Sequence, residues 1–426
     1  MNTREICLRI IEKLFQGYTL EGITANLDNF KKLNKKDKGF VKMLILTFLR
    51  RNGEVDFVID KFVKKPLKEK NDKLKNILRI GITQILFLEV SDHAATFTTV
   101  EITKKHYFGL QSFVNAVLRN VCRNKLMLIK TLDPTNNIPK WIIEQTYSDI
   151  KININDFSNC VSKVPLLDIH FKNKRLMDMK YVKELKGKNI FNNILRIKHT
   201  GGIENIPRFQ NGEWWIQGLS ASIPCTVIER IFNLDRKKIN VLEIGAAPGG
   251  KTIQLCNAGF QVTAIEKSLE RTCKLKENLR RMKFRPKILC EDILKNNIKD
   301  LYDCALIDAP CSATGIIQKK PEILIQEKNI HSLLRAQQEI LEKTSKLIKK
   351  NGIMIYAVCS LIYKEGEGQI NNFLNKNDRF IKVNLKDIVT DLDCINKDAN
   401  IIMSPLNYRK SGGVDGFFIS CMKKIR

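Results

Sequence analysis

Two short stretches carry side chains whose types and spacing suit covalent chemistry. LIDAPCSATG (Leu306 to Gly315) and YAVCS (Tyr356 to Ser360) each run from apolar residues into a cysteine, Cys311 and Cys359. A lone cysteine in such a setting is usually a small core residue. Two that end adjacent strands, one just after Asp-Ala-Pro, suit a different task. Carbon 5 of a pyrimidine is a poor nucleophile, but a thiolate that adds to carbon 6 turns it into an enamine-like one, dividing a hard step into easier ones. The carbon-5 proton must then leave and the thioether must be expelled, which a second thiol would assist. Asp308, held by a rigid Pro turn, would bind the base edge and favour ring protonation during addition. A nearby cation would keep the nucleophile as thiolate, and Lys251 is the candidate. The base would have to be flipped out or already unpaired to reach such a cleft.

A second stretch is ambiguous. Gly245 to Thr252 reads GAAPGGKT, which satisfies the phosphate-loop pattern G-x-x-x-x-G-K-[ST]. CALID (Cys304 to Asp308) also ends in an acid, as a magnesium-binding strand would. Three features count against a triphosphate site. Pro248 and its neighbouring alanines stiffen the turn. Glu266 ends the next strand, where an acid suits ribose hydroxyls. The two cysteines have no part in phosphoryl transfer. A nucleoside cofactor without phosphates fits better, and S-adenosylmethionine is the obvious one. Gly245, Ala246, Ala247, Pro248, Gly249, Gly250 and Lys251 would form its loop, the glycines admitting close backbone approach. Glu266 would hold the ribose and Asp292 would lie near the adenine. Each acid taken alone also reads as an ordinary surface acid at a strand end.

The elements that position these groups divide the chain into three. Residues 1–130 show helical periodicity throughout, as in TREICLRIIEKLF and LQSFVNAVLRNVCRNK, where Phe113, Val117 and Val121 share a face while Arg119 and Arg123 are left to solvent. An all-α bundle with basic edges follows. Residues 131–220 open on the punctuating DPTNNIP and continue with short strand candidates, PLLDIHFK and ILRIKHT, before NGEWWIQG. A small α+β linker domain is expected there. Its tryptophan pair would stack on bases or, more commonly, set a ring into an interface. From 221 to 426, apolar strands alternate with helices, which predicts a Rossmann-like α/β domain whose mostly parallel sheet is covered on both faces. Ligands of such sheets bind at the carboxyl ends of the strands.

The 73 Lys+Arg against 45 Asp+Glu give a formal net charge of +28, which suits a nucleic-acid partner and salt-dependent binding. A Lys-rich composition that merely solvates the surface is the plain alternative. No apolar run approaches a membrane span, and MNTREICLRI lacks a signal peptide's apolar centre. The 12 cysteines are scattered without Cys-x-x-Cys pairs and the 5 histidines lack ligand spacing. We therefore expect no metal, a reducing cytoplasmic setting and cysteines that mostly fill core.

LRIGITQILFLEVSDHAATFTTVEITKK followed by FVNAVLRNV resembles the NusB-like RNA-binding domain at the front of certain ribosomal RNA methyltransferases. AAPGGKT and DAPCSATG make residues 221–426 similar to the catalytic domain of the RNA cytosine-5 methyltransferases. Together they resemble the bacterial members that act on small-subunit ribosomal RNA. That resemblance implies methyl transfer from S-adenosylmethionine to carbon 5 of a cytosine in 16S ribosomal RNA, cytosine-967 in conventional numbering. It implies Cys359 as nucleophile and Cys311 as the thiol assisting release. It places cofactor contacts on Gly245 to Lys251, Glu266, Asp292 and Asp308. The substrate expected is unassembled or partly assembled subunit RNA, and the protein a monomer. Departures are visible: Glu243 and Gly245 stand where the family has Asp and Cys, Glu266 where it often has Asp, Gly218 where Gln-Asp is common, and His170 and Lys172 where Arg and Asn are expected. They put fine substrate contacts in doubt more than the chemistry. The same chemistry on transfer RNA or another ribosomal position, a phosphate-loop triphosphatase, and a non-catalytic RNA-binding factor remain alternative readings.

Overall fold

The computed structural model describes residues 2–65, 67, 71–146, 153–199, 201–390, 392, 394, 396 and 399–426. The chain forms two compact units: Met1–Glu144 with Ile152–Val164 and Ile317–Glu327, and Gln145–Lys151 with Pro165–Ile316 and Lys328–Arg426.

The first unit is helical. Its main helices are Thr3–Phe15, Lys35–Arg50, Asn52–Phe62, Asp72–Phe87, Asp92–His106 and Gln111–Arg123. Three start on a side chain that accepts from the first-turn backbone, Asn2, Asn34 and Ser91, satisfying amides that a helix leaves free. Helix Asp72–Phe87 runs between two cores. Ile77 and Ile80 join the cluster around Ile6, Ile10 and Phe48, while Leu74, Leu78, Ile82 and Ile85 join that around Val55, Val117 and Val121. Its Arg79 holds Asp56 through two hydrogen bonds of 2.7 and 2.6 Å and lies over the Phe15 ring at 4.5 Å. Arg119 and Arg123 are exposed, as the periodicity predicts.

The second unit holds two sheets. A four-stranded antiparallel sheet has the order β2-β3-β1-β4, with β1 Leu167–Phe171, β2 Lys188–Phe191, β3 Ile194–Ile197 and β4 Trp214–Ile216. The eight-stranded sheet runs β10-β12-β9-β8-β5-β6-β7, with β11 beside β12. Its strands are β5 Asn240–Ile244, β6 Gln261–Ile265, β7 Lys287–Leu289, β8 Tyr302–Asp308, β9 Ile348–Val358, β10 Phe380–Lys382, β11 Ile401–Met403 and β12 Phe417–Lys424. From β7 to β9 the pairing is parallel, whereas β10, β11 and the final β12 pair antiparallel. Residues of β9 alternate between the two faces: Ile353, Ile355 and Ala357 face the core with helix Leu219–Ile231, and Met354, Tyr356 and Val358 face that with helix Ile330–Ser345. Both faces are thus buried, as the apolar strands predict.

The tryptophans settle as structure. Adjacent on β4, they face opposite ways: Trp214 enters the small sheet's core and Trp215 the large one's, each at most 1% exposed. Neither offers a face to a base. Arg196 on β3 grips Asp168 on β1 with bonds of 2.6 and 2.9 Å. Arg196 also donates to Ser411 O at 2.8 Å, and Asp168 accepts from Leu219 N at 3.0 Å. Gly218, the residue before that helix, has no side chain to cap it, so Asp168 does so from the neighbouring strand. No helix among the described residues is long and apolar enough to cross a membrane. Removing one partner of this buried pair leaves the other charge uncompensated, so Asp168→Ala is expected to lower stability by about 3–5 kcal/mol in urea denaturation.

Candidate active site

In a parallel sheet the crevice opens where successive connections leave a strand end in opposite directions. Here that point lies between β5, followed by β6 and β7 on one side, and β8, followed by β9 on the other. The loop after β5 and the loops after β8 and β9 therefore meet at one rim.

The loop Gly245 to Lys251 folds against β6 and β8. Gly245 N and Ala246 N both donate to Ile265 O, at 2.9 and 3.1 Å. Gly245 has φ +78°, and a Cβ there would stand 2.5 Å from Asp308 O. Lys251 Nζ donates to Asp308 Oδ2 at 2.8 Å and lies 5.4 Å from the centre of the Phe417 ring. Burial alone would push the Lys251 ammonium down, but the Asp308 carboxylate outweighs it and the group is held above its ordinary range. These facts separate the loop from a phosphate cradle: two of its amides are occupied internally and its lysine already faces a carboxylate. They also show that the Lys251 cation, expected beside the nucleophilic thiol, is engaged by Asp308.

Glu266 follows β6 and is 2% exposed. Its Oε1 accepts from Ser268 N at 3.0 Å. Oε2 sits 3.1 Å from Arg271 Nη1 without an aligned hydrogen bond, so the acid retains acceptor capacity at the strand end. Arg271 also donates to Ala247 O, and Asn278 Nδ2 donates to Pro248 O at 2.9 Å. Helix Leu269–Met282 thus props both the acid and the loop. The residue types pointed to the glycine loop and to Glu266, but not to these two props, whose only signal is a position one and three turns into the following helix. Asp292 lies three residues past β7, where its Oδ1 accepts from Leu294 N at 3.0 Å. A backbone cradle with a partly free buried acid at the adjoining strand end suits a ribose-bearing, phosphate-free nucleoside.

The thiols converge. β8 and β9 pair in parallel with Asp308 opposite Ala357, and the loops beyond them bring Cys311 Sγ to 3.5 Å from Cys359 Sγ. Gly315 N donates to Cys359 O at 3.0 Å and Ala309 N to Ala357 O at 3.1 Å, tying the two loops together. The hydrogen bond with Cys359, burial and the negative charge of Glu365 all push the Cys311 thiol well above its ordinary range. The two sulfurs are within reach of one S–H···S hydrogen bond, in which either can donate. All 12 cysteines are thiols outside any disulfide, five buried, five half-buried and two exposed, so fewer fill core than composition suggests. Among the described residues no group of three or more His, Cys, Asp or Glu could hold a metal.

Two departures prove to be packing residues. His170 stacks on Trp215 at 4.4 Å, and burial pushes its imidazole down to about 4, so it is neutral. Lys172 Nζ donates to Met282 O at 2.8 Å. A third, Glu243, is 1% exposed with Oε2 lacking a hydrogen-bond partner, and burial pushes it from 4.5 up to about 8.

Residues 231–423 match the 16S rRNA methyltransferase RsmB/F family and residues 1–123 match the NusB family. The chain is 28% identical to the ribosomal RNA small subunit methyltransferase B of Photorhabdus laumondii, over 99% of each chain. It is 27% identical to the same-named protein of Yersinia enterocolitica, over 88% of this chain and 90% of that one. Among solved structures, PH0851 superposes with a TM-score of 0.75 at 23% identity, covering 100% and 99% of the two chains. NSun6 from Pyrococcus horikoshii, solved with SFG, gives 0.56 at 17% identity over 68% of this chain and 99% of that one. Both likenesses concern the fold.

Two predictions follow from the loop. Gly245→Cys, although it restores the family residue, meets both a positive φ and the Asp308 carbonyl; we expect it to cost about 1–3 kcal/mol in thermal denaturation. Glu243 has a raised folded pKa, so the stability it contributes is present below pH 4.5 and lost as pH rises through about 8. Denaturation midpoints should fall between pH 5 and 8, and Glu243→Gln should flatten that fall.

Proposed function

We propose that the chain, whose residues 231–423 match the 16S rRNA methyltransferase RsmB/F family and residues 1–123 the NusB family, is an S-adenosylmethionine-dependent methyltransferase that methylates carbon 5 of a cytosine in 16S ribosomal RNA through a covalent adduct with Cys359. The observation that carries this reading is the thiol pair at 3.5 Å, beside a nucleoside-type loop and a buried acid. We infer the conventional position 967 as the target, in unassembled or partly assembled subunit RNA, and a monomeric cytoplasmic enzyme.

In this reading, Gly245 to Lys251 and Glu266 hold the methyl donor, with Asp292 near its adenine. Cys359 Sγ, 3.5 Å from Cys311 Sγ, attacks carbon 6 of the flipped cytosine as a thiolate. The carbon–sulfur bond forms, the carbon 5–carbon 6 double bond opens, and a proton settles on ring nitrogen 3. Asp308 favours that proton electrostatically while its second role, pairing with Lys251, fixes its direction. Held by that loop, S-adenosylmethionine would supply an electrophilic sulfonium methyl for carbon 5, its sulfur keeping the bonding pair as S-adenosylhomocysteine. Loss of the carbon-5 proton and of the nitrogen-3 proton to solvent then re-forms the carbon 5–carbon 6 double bond as the carbon–sulfur bond breaks, and Cys311 gives its proton to the departing sulfur, so that Cys359 leaves as a thiol and Cys311 remains as thiolate. The raised pKa of Cys311 matches that second role better than the first.

Two variants test the division of labour, using purified full-length protein, radiolabelled S-adenosylmethionine and unmodified 16S RNA. Cys359→Ala is expected to lower methylation by on the order of 10³-fold or more and to form no covalent complex. Cys311→Ala is expected to accumulate protein–RNA complex that survives a denaturing gel. Identical behaviour of the two variants would contradict the assignment. Bisulfite sequencing of cellular RNA with and without the gene locates the target, and loss of a transfer-RNA signal instead would move the substrate elsewhere.

A further inference from the structure

Each thiol is followed by a serine. Ser312 and Ser360 are both 1% exposed, and both hydroxyls donate to the same oxygen, Glu365 Oε2, at 2.5 Å each. Glu365 Oε1 accepts from Ser312 N at 2.8 Å and from Gln337 Nε2 at 3.1 Å. The acid is fully buried, and its own carbonyl accepts from Tyr356 OH on β9 at 2.7 Å. Four donors converge on one carboxylate, two from the loop of Cys311, one from the loop of Cys359 and one from helix Ile330–Ser345. Hydrogen bonds to a carboxylate are roughly twice as strong as neutral ones, and the other side-chain links between the two thiol loops, Thr314 Oγ1 accepting from Leu361 N at 2.9 Å and Ser312 Oγ at 3.1 Å from Ser360 Oγ, join neutral groups. A core needs no buried acid for stability, and a hydrophobic replacement commonly serves as well. Its bonds to the residue that follows each thiol are what call for a reason.

We propose that Glu365 is a positioning residue: by clamping Ser312 to Ser360 it fixes the separation across which Cys311 assists release of Cys359 from the base. This rests on the reaction proposed above. Glu365 touches neither thiol, and it acts through the backbone of the adjoining residues. Nucleophilic addition needs only Cys359, whereas release needs both sulfurs at the right distance. Loosening the clamp therefore slows the second step more than the first.

The test reads the sulfur separation directly and without RNA. Diamide, a diazene oxidant, takes two hydrogens from a close thiol pair and leaves one disulfide, and peptide mass mapping singles out the Cys311–Cys359 crosslink among the other thiols. Wild-type protein is expected to crosslink readily, and Glu365→Ala about tenfold or more slowly, as expected when a fixed geometry is released. Glu365→Gln keeps an acceptor for Ser312 N and Gln337, and its amide can donate to hydroxyls that turn to accept, so it should recover crosslinking to within about threefold. With 16S RNA, Glu365→Ala should raise the covalent complex relative to turnover, while S-adenosylhomocysteine affinity stays at the wild-type value. A residue that only supports folding would lower complex and turnover together. If Glu365→Ala does not fold, the double variant Ser312→Ala with Ser360→Ala removes the same bridge and should show the same two shifts. Wild-type crosslinking rates and an unchanged ratio of complex to turnover in these variants would overturn the proposal. Wild-type protein that crosslinks but neither methylates nor traps RNA would overturn the reaction proposed above, while a tenfold crosslinking difference would still support the clamp.

Discussion

Parallel pairing of β8 with β5 on one side and with β9 on the other decides where every reactive group stands. Asp308 ends β8 opposite Ala357 of β9, and its carbonyl lies against Gly245 just past β5. Three strand ends within two inter-strand spacings bring together the loop, the ion pair of Lys251 with Asp308 and both thiols. Slip β8 by one residue and its side chains change faces: Asp308 would lose Lys251, and the Cys311 loop would no longer run toward Cys359. The apolar alternation along β8 and β9 that fills two cores is thus the same constraint that sets the chemistry.

The polar groups at this rim are arranged in neutralising sets. Lys251 is matched by Asp308, Glu266 by Arg271, and the Glu365 carboxylate by four donors. What remains is a pair of thiols within hydrogen-bond reach of each other. Proximity of two sulfurs raises the cost of ionising both, so the pair is asymmetric in charge even though the residues are alike. Glu365 deepens the asymmetry, since its negative charge disfavours a thiolate at Cys311. The carboxylate thereby has two consequences from one placement: it sets a distance and it biases which sulfur carries the proton.

Much of this was legible in the sequence because short motifs and periodicity report local structure. The parallel strands and the paired cysteines follow from apolar runs broken at Gly or Pro, and the glycine loop from its letters. The letters of GAAPGGKT alone also fit a phosphate loop, and the hydrogen bonds of Gly245 N and Ala246 N to Ile265 O and of Lys251 to Asp308 add structural grounds against that reading. Long-range placement was not legible. Lys251 reads as a free cation until Asp308, 57 residues away, is found beside it. His170 and Lys172 read as altered substrate contacts until Trp215 and Met282 O turn out to be their partners. Residues 317–327 lie between two elements of the catalytic unit in sequence yet group with the helical one, which no local pattern announces.

Glu365 shows the limit most clearly. In SLIYKEGEG it is one charged residue in a short turn after β9, and solvated acids in turns are common. Its meaning comes from Ser312, 53 residues earlier in sequence, and Gln337, 28 residues earlier. A buried carboxylate without partners would be strongly unfavourable, so the acid and its four donors require one another. That mutual requirement is absent from a turn that merely reverses the chain, and it binds the fold to the chemistry: the sheet brings two loops near each other, but a carboxylate between their serines is what makes near into a fixed distance. Thiol chemistry is sensitive to such distances, because proton transfer between the sulfurs requires hydrogen-bond reach. The architecture of the sheet therefore supplies the site's location, and the buried acid supplies its tolerance.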